Sequence, residues 1–383
     1  MTGLRVLITS FRCAARTGLE VYVRDLALGL QQRGHVPVIY SPHLGELARE
    51  LRALTIPVVD DLNAIGTPPD IIHGHHHIET MTALLHFPGV PAIYFCHDWY
   101  NWLDSPPSFP RLLRYVAVDQ PCYEKLVFKH AVPEERVRLL LNFVDIEKFK
   151  PRAPLPAHPQ HALLYSDYTE DDAYLAAVRQ ACSRAGLRLD VVGLKMDNPS
   201  TAPEKLLGQY DIVFAKARSA LEALAVGTAV VIYCMRSVGP MVTARELERL
   251  LPLNFGMRAM RHPSSPEKLT QELSHEIARY DPQDAAAVSA RVRALSRSDK
   301  AVDEIISLYE EVIAEHRNAD TPDAGAEARA AAVYIRWMSS RFREQSENMN
   351  NSTVIRLKQR LVKVPVAGKL AHSLARRLAG SSS

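Results

Sequence analysis

The sequence predicts an α/β protein with two doubly wound domains, followed by a basic helical tail. Short runs rich in Val, Ile and Leu alternate with helical stretches twice along the 383 residues, as in parallel sheets buried on both faces. A proline-rich segment at 151–161 separates the two series and predicts an interdomain linker. The length normally corresponds to two or more domains, and 47% hydrophobic residues suffice for both cores.

The first series predicts an N-terminal domain over residues 1–150. A strand at 4–9 leads through a loop holding Gly18 to a helix at about 19–33, which Gly34 ends. Further strands are predicted at 36–40, 57–59, 70–73, 92–96, 115–118 and 137–141.

The second series predicts a C-terminal domain over residues 162–317, and residues 318–383 follow as a polar loop and a basic tail. Its strands are expected near 162–165, 189–192, 212–215 and 229–234, and its last helix near 300–316. In the tail, apolar side chains between 354 and 378 alternate with Lys and Arg at partly helical spacing. This pattern favours an anionic membrane surface as a partner, with packing onto the protein or disorder as alternatives.

Composition excludes several classes of protein. A formal net charge of +3 is too small to indicate a nucleic-acid partner. Five scattered cysteines without a Cys-x-x-Cys pair indicate reduced thiols in a cytosolic protein rather than disulfides or a zinc site. We expect no signal peptide, because a strand begins at once, and no membrane span, because the longest apolar stretch is too short. The expected location is cytoplasmic, with peripheral contact at the inner face of the membrane through the tail.

The segment from 211 to 231 carries the strongest signal for a ligand site. It predicts a buried strand, a basic turn, a short helix opened by Ser219 and a second strand. Lys216 and Arg218 lie at the helix N-terminus, where free N–H groups and the helix dipole favour an anion. Glu222 has capping-box spacing from Ser219 but could also face a ligand above the strand ends. Such a carboxylate beside two cations fits the ribose and phosphates of a sugar nucleotide, the alternative being ordinary capping and a solvated charge pair.

Six motifs between residues 4 and 315 occur in an order that resembles GT-B glycosyltransferases, most closely the retaining enzymes of family 4. They are Gly18-Leu-Glu20, Gln32-Arg-Gly34-His35, Asp70-Ile-Ile-His73-Gly-His75, Phe95-Cys-His97-Asp98, the run from Leu141-Asn142 to Phe149-Lys-Pro151, and Glu222-Ala-Leu-Ala-Val-Gly227. The resemblance implies a GT-B fold, in which two doubly wound, Rossmann-like domains face each other across a cleft. It also implies a hexosyltransferase-like enzyme that moves a sugar from a nucleotide-sugar donor to an acceptor hydroxyl. It implies retention of configuration and no requirement for a metal or other cofactor.

The resemblance and the basic turn together assign candidate site residues. His97 is the candidate catalytic group beside the reacting sugar. The candidate donor-binding residues are Gly18, Lys216, Arg218, Ser219, Leu221 and Glu222. The candidate acceptor-side residues are His75, Asp98 and Trp99, and the acceptor is expected to be a saccharide or a lipid-linked molecule of cell-surface polysaccharide or glycolipid synthesis.

Two aromatic groupings have competing interpretations. The histidines at 73 and 75–77 could bind zinc, but only Glu79 lies near at ligand spacing, and a cleft-lining role fits the family better. Trp99 and Trp102 could stack on a sugar ring or a lipid, or simply pack their loop.

Three departures from the family pattern leave two hypotheses open. Phe214 stands where the family has a second Glu, Phe143 replaces a Gly, and the stretch from Tyr165 to Tyr168 lacks the usual phosphate-binding cations. Either Lys216 and Arg218 have taken over the phosphate contacts, or the donor site has decayed and the protein is a scaffold or a sugar-nucleotide-binding protein. A nucleotide-sugar 2-epimerase on the same fold is a further alternative.

Overall fold

The computed structural model describes residues 3–167, 169–170, 172–319 and 323–350, with side chains to 347. The strands are β1 (Arg5–Thr9), β2 (Arg12–Cys13), β3 (Val36–Tyr40), β4 (His43–Leu44), β5 (Val58–Val59), β6 (Ile71–His75), β7 (Ala92–Cys96), β8 (Leu112–Ala117), β9 (Val137–Leu139), β10 (His161–Tyr165), β11 (Arg188–Val192), β12 (Ile212–Ala215), β13 (Ala229–Cys234) and β14 (Ser237–Met241).

The helices are α1 (Gly18–Gln32), α2 (Glu46–Ala53), α3 (His77–His86), α4 (Gln120–Glu124), α5 (Ala173–Arg184), α6 (Pro203–Leu206), α7 (Ala217–Val226), α8 (Leu247–Leu250), α9 (Pro266–Ile277), α10 (Pro282–Leu295), α11 (Ser298–Asn318) and α12 (Ala324–Asn350). Within the described ranges, none of them combines the length and the apolar character needed to cross a bilayer. The chain divides into a unit of Met1–Pro107 with Arg111–Asp320, which holds both large sheets, and a second unit that contains α12.

The first sheet has seven parallel strands in the order β5-β3-β1-β6-β7-β8-β9. Strand β1 pairs with β3 on one side and β6 on the other, so the strand order reverses at this point. In open α/β sheets a ligand crevice forms at the carboxyl ends of the strands that flank such a reversal. The segments that leave β1 and β6 are therefore placed to line a site.

The second sheet has the order β11-β10-β12-β13-β14 and is parallel except for β14. Its reversal lies at β10, so the segment after β10 and helix α7 after β12 occupy the equivalent crevice. Apolar side chains cover both faces of this sheet: α7 and α10 pack on one face, and α5 and α9 on the other.

The predicted α/β architecture is confirmed, and the predicted strands are present within a few residues. The apolar runs located them well because both faces of a parallel strand are buried. The antiparallel edge strand β14 was not predicted. The predicted polar loop at 318–328 is wrong in its second half, since α12 begins at Ala324. The Ala-, Glu- and Arg-rich sequence that follows has high helix propensity even without a clear apolar stripe. The basic stretch at 354–378 lies outside the described residues.

Helix α11 returns to the first sheet rather than completing the second domain. Arg33 of α1 donates to Asp303 and to the carbonyl of Asp299, and His316 bonds the carbonyl of Gly89 at 2.8 Å. Residues 298–318 therefore pack as part of the N-terminal half, which differs from the predicted boundary of 162–317.

Arg293 of α10 holds the segment that connects the two sheets. Its guanidinium donates to the carbonyls of Ile146 and Phe149 at 2.9 and 2.6 Å, and to that of Ala225 at 3.2 Å. Because the donors are charged and partly buried, these bonds are stronger than neutral ones. They fix the connecting segment against the second domain.

Arg293→Met should therefore lower the free energy of unfolding by roughly 2–4 kcal/mol, because it leaves three carbonyls without their donor. Arg188→Met is the matched control, since that side chain is 75% exposed and pairs with Asp190 only at 4.0 Å; its change should stay within about 0.5 kcal/mol. Urea unfolding measures both. Equal effects would show that the connecting segment does not depend on Arg293.

Candidate functional site

A cleft lies where the carboxyl edges of the two sheets face each other. One wall comes from the loop after β1 and the first turns of α1, and the other from the loop after β10, the segment at 200–203 and α7. Its lining residues are Arg16, Gly18, Val21, Arg24, Asp25, Lys148, Phe149, Tyr165, Asp167, Ser200, Pro203, Arg218, Ser219 and Glu222. Both strand-order reversals thus open onto the same space.

The wall on the side of the first sheet is built around the N-terminus of α1. Glu20 is buried, and one carboxylate oxygen accepts the N–H groups of Ala14 and Ala15 at 2.8 and 3.0 Å while the other accepts the Thr17 hydroxyl at 2.6 Å. These bonds fold the loop onto the helix end. A Cβ on Gly18 would meet no heavy atom within 4 Å, so the first turn is open towards the cleft. The prediction that Gly18 lies at the site is consistent with this position.

The wall on the side of the second sheet is built by α7, whose N-cap is Lys216. The helix thus begins earlier than predicted: Ser219 is its third residue, and Lys216 occupies the capping position assigned to Ser219. The turn before it is so short that Ala217 takes a left-handed φ of 49°, a strained conformation for a residue with a Cβ. Glu222 follows one turn later and is 5% exposed at the cleft wall.

Arg218 joins the two walls through carboxylates. Its Nε donates to Glu222 at 2.9 Å, and its Nη2 donates to Asp25 of α1. Arg24 shares the Asp25 carboxylate at 3.0 Å. The side chains of Arg218, Asp25 and Glu222 are 11%, 8% and 7% exposed, so these ion pairs are shielded from water.

The ion pairs set the protonation of the cleft. Burial alone would lower the pKa of Arg218, but Asp25 and Glu222 outweigh it and raise that pKa. Burial raises the pKa of Glu222, and the Arg218 charge opposes this rise. Arg218 is therefore a structural cation whose charge is compensated by carboxylates, and not the exposed phosphate ligand that the sequence suggested.

The other predicted donor-binding residues divide into two groups. Ser219 and Glu222 line the cleft, and their contact with a donor stays a prediction. Leu221 was also predicted to bind the donor, but its side chain is 1% exposed within the apolar core, which leaves only its backbone for such a contact. Lys216 is partly buried and is not among the residues that line the cleft.

Sequence reasoning missed the cations that do line the cleft. Lys148 comes from the segment between the sheets and lies 3.5 Å from Glu204, with its Nζ 5.6 Å from the Phe149 ring centroid. Arg16 comes from the loop before α1 and pairs with Glu50 at 2.6 Å. The signal for Lys148 was its place in the motif that runs from Leu141 to Pro151, but nothing local to the sequence shows that this segment crosses beside the cleft.

The departures from the family pattern have a packing explanation. Phe214 is fully buried in β12 with its ring 6.4 Å from that of Tyr233, so an apolar side chain fills this position in the sheet. Phe143 is buried against Tyr22 of α1, with ring centroids 4.9 Å apart.

His97 follows β7 and is fixed at both its backbone and its ring. Its N–H donates to Asp104 at 2.9 Å, and its Nε2 lies 2.9 Å from Nδ1 of His75. The ring of Tyr22 lies 4.7 Å away, centroid to centroid. Burial, followed by the influence of His76 and Arg218, lowers the pKa of His97 to about 3, so the imidazole is neutral near pH 7.

The predicted acceptor-side residues lie at different depths. His75, predicted on the acceptor side, is completely buried behind His97, so its side chain has no surface open to an acceptor in this structure; alternation along the strand gave its side but not its depth. Asp98 is exposed and accepts the N–H groups of Tyr100 and Asn101 at 2.7 and 3.0 Å, which shapes the loop. The Trp99 side chain is 44% exposed.

The remaining aromatic groups are used in packing. His76 accepts the N–H of Phe11 at 3.0 Å, and the ring of His77 lies 4.9 Å from that of Trp102. Of the two indoles, Trp102 packs its loop and Trp99 faces solvent. Across the part of the chain that the structure describes, no three His, Cys, Asp or Glu side chains form a group that could hold a metal ion.

The chain is similar to glycosyltransferases, in sequence over part of its length and in its fold. Residues 16–148 match the family model of Glycosyltransferase Family 4. A glycosyltransferase from Rickettsia africae superposes with a TM-score of 0.60 at 16% identity, over 83% of this chain and 100% of that one. HepE of Anabaena, in complex with UDP and glucose, gives 0.56 at 14% identity, over 80% and 99%. No curated protein sequence matches the chain.

The chain has the GT-B fold of these enzymes. A putative UDP-N-acetylglucosamine 2-epimerase from Listeria monocytogenes also superposes, with a TM-score of 0.53 at 13% identity over 85% of this chain and 100% of that one. The fold alone therefore does not fix the reaction.

The ion pairs of Arg218 predict strong coupling between the two walls. Asp25→Asn and Arg218→Met should each destabilise the fold by about 3–5 kcal/mol, since each leaves buried charge without its partner. The double variant should cost less than the sum by more than 1 kcal/mol, as a double-mutant cycle in urea would measure. The exposed pair Arg297–Asp299 is the control and should couple by less than about 1 kcal/mol. Additive losses at Asp25 and Arg218 would contradict the bridge.

Two buried titratable groups, His77 and Glu79, should change the stability of the fold in opposite directions as the pH rises. Burial lowers the pKa of His77 to about 3, so the unfolded chain binds a proton at pH 5 that the folded chain does not, and stability rises towards pH 7. Burial raises the pKa of Glu79 to about 7, so the folded chain binds the extra proton and stability falls over the same window.

The two groups can be separated by substitution. His77→Gln should reduce the change in unfolding free energy from pH 5 to pH 7 by about 2 kcal/mol, and Glu79→Gln should increase it by about 2 kcal/mol. Urea unfolding at the two pH values measures both. Shifts of the same sign in the two variants would show that these groups do not titrate as described.

Proposed function

We propose that this chain transfers a sugar from a nucleotide-sugar donor to an acceptor hydroxyl. The chain has a GT-B fold, and its residues 16–148 match the model of Glycosyltransferase Family 4. One observation carries the proposal. The buried carboxylate Glu222 lies on α7 across the cleft from the open helix turn at Gly18. A carboxylate can accept ribose hydroxyl protons, and a helix N-terminus with no side chain over it can receive phosphate oxygens.

Arg218 supports this donor site without touching the phosphates. It holds Glu222 by a charge-assisted bond at 2.9 Å and favours the ionised carboxylate against the effect of burial. The ionised form accepts hydrogen bonds at both oxygens, which suits two neighbouring ribose hydroxyls. Arg218 is thus a positioning residue for Glu222.

Lys148 and Arg16 are the cations that we assign to the diphosphate. Both line the cleft beside the N-terminus of α1, and the carboxylates that pair with them, Glu204 and Glu50, are not among its lining residues. Positive charge at the diphosphate stabilises the leaving group as the bond to the sugar breaks. HepE, which has this fold, is seen with UDP and glucose, so uridine nucleotides are the first probes to use.

The reacting sugar is assigned to the His97 side of the cleft. His97 supplies a neutral ring nitrogen, and the exposed Asp98 and Trp99 follow it on the acceptor side. Retention of configuration, independence of metals, and a saccharide or lipid-linked acceptor of polysaccharide or glycolipid synthesis are parts of the same proposal. Contact with an anionic membrane would depend on residues 354–378.

The donor assignment predicts different losses for the nucleotide and the nucleoside. Lys148→Ala should raise the dissociation constant of UDP by about tenfold and leave that of uridine unchanged, because only UDP carries the diphosphate charge. Glu222→Gln should weaken both ligands by about tenfold, because both carry the ribose. Isothermal titration calorimetry measures the four dissociation constants. Lys150→Ala, two residues away and exposed, is the matched control and should leave both ligands unchanged.

Other outcomes separate the alternatives. A tenfold loss of UDP affinity in Lys216→Ala, together with no loss in Lys148→Ala, would show that Lys216 is the phosphate-binding cation, as the sequence predicted. Donor binding without sugar transfer to any acceptor would favour a sugar-nucleotide-binding scaffold. Conversion of a UDP-sugar to its epimer without an acceptor would favour a 2-epimerase. Failure of uridine, guanosine and adenosine diphosphate sugars to bind would overturn the proposal.

A further inference from the structure

Behind His97 lies a cluster of aromatic rings that the donor site does not use. His73 and His75 of β6 and Tyr309 of α11 are all completely buried. The Tyr309 hydroxyl lies 2.6 Å from Nδ1 of His73, and the ring centroids of His73 and His75 are 4.6 Å apart. His75 in turn bonds His97 at 2.9 Å. The cluster therefore connects α11 to the partly buried ring of His97, which is not among the residues that line the cleft.

The His75 ring has little freedom to turn. Its backbone N–H donates to the Thr9 hydroxyl at 3.1 Å, and its ring meets those of Tyr22 and Phe95 at centroid distances of 5.6 and 5.8 Å. The neighbouring Gly74 packs closely against α3, because a Cβ there would lie 2.4 Å from the Thr80 hydroxyl. His75 is thus held with Nδ1 directed at His97.

Both imidazoles of the pair are neutral. Burial lowers the pKa of His75 well below its ordinary value, and burial lowers that of His97 to about 3. The titratable groups around the pair are His73 and His76 on β6 and after it, Tyr22 on α1, Tyr309 on α11, Arg218 on α7 and Asp104, which accepts the backbone N–H of His97. Two neutral rings share one hydrogen bond, so one ring donates and the other accepts.

The second nitrogen of His75 decides which ring donates. Its Nε2 is buried and has no hydrogen-bond partner within the described residues. If His75 accepted at Nδ1, its only proton would lie on Nε2 as a buried N–H without an acceptor, which is a rare and costly arrangement. If His75 donates from Nδ1, its proton is bonded. The remaining proton then lies on Nδ1 of the half-buried His97 ring, the nitrogen that faces away from His75.

We propose that His75 is a positioning residue that donates to Nε2 of His97 and so fixes His97 as the tautomer with its proton on Nδ1. His97 then offers a neutral N–H donor to a ligand oxygen. The tautomer follows from the buried pair itself, whereas its effect on turnover rests on the proposed function.

Two substitutions of equal shape and opposite hydrogen-bonding character test the proposal. In His75→Asn the amide can still donate to Nε2 of His97, so the Nδ1–H tautomer should persist. In His75→Asp the carboxylate only accepts, so the proton should move to Nε2 of His97 or the ring should become an imidazolium. Ring ¹⁵N NMR of histidine-labelled protein distinguishes these three states, and the signals lost in His97→Gln identify His97.

Kinetics supply the second measurement. With a UDP-sugar that the wild-type protein turns over, His75→Asn should keep kcat within about threefold. His75→Asp should lower kcat by about 100-fold, the low end of what a positioned proton donor contributes. The dissociation constant of UDP should be unchanged in both, because Glu222 and Lys148 bind that part of the donor. Rescue by Asn but not by Asp is a result that a role in packing alone would not give.

Two outcomes would overturn the inference. One is a wild-type spectrum in which His97 carries its proton on Nε2, a measurement that needs no variant to fold. The other is equal turnover in the Asn and Asp variants. A wild-type spectrum with the Nδ1 proton in a protein that turns over no donor would support the positioning role of His75 while contradicting the proposed function.

Discussion

The cleft depends on the contact that Arg218 makes with Asp25 and Glu222. One guanidinium is held between carboxylates from two different helices, Asp25 of α1 and Glu222 of α7, and all three side chains are at most 11% exposed. Charges in such a place are stable only with their partners at bonding distance. The spacing of α1 and α7, and with it the width of the cleft, is therefore fixed by electrostatics as well as by apolar packing.

This contact also gives the cations of the cleft different roles. A guanidinium committed to two carboxylates is suited to orienting Glu222, and the less buried Lys148 is suited to a mobile anionic ligand. Lys148 belongs to the segment that joins the domains, and Arg16 to the first domain. In our proposal the diphosphate is thus bound mostly from outside the second domain, which accounts for the lack of cations between Tyr165 and Tyr168.

The features that could be predicted from the sequence are those that depend on residues close together in the chain. Apolar runs located the strands because parallel strands are buried on both faces, and Gly18 and Glu222 were found because motifs at strand ends carry them to the cleft. Asp25, which pairs with Arg218 across the cleft, lies 193 residues away in the sequence, and nothing in the sequence near either residue indicates the pair. Alternation put His73 and His75 on one side of a strand, but only the packing of Tyr22, Phe95 and α11 shows that both are sealed from solvent.

The return of α11 to the first sheet has a consequence for the order in which the chain is made. During synthesis the first seven-stranded sheet is complete once residue 139 has emerged, yet the helix that covers His73 and pairs with Arg33 begins only at Ser298. The whole second domain must leave the ribosome before that face is closed. Until α11 has been made, the face of the first sheet that this helix covers stays open to water.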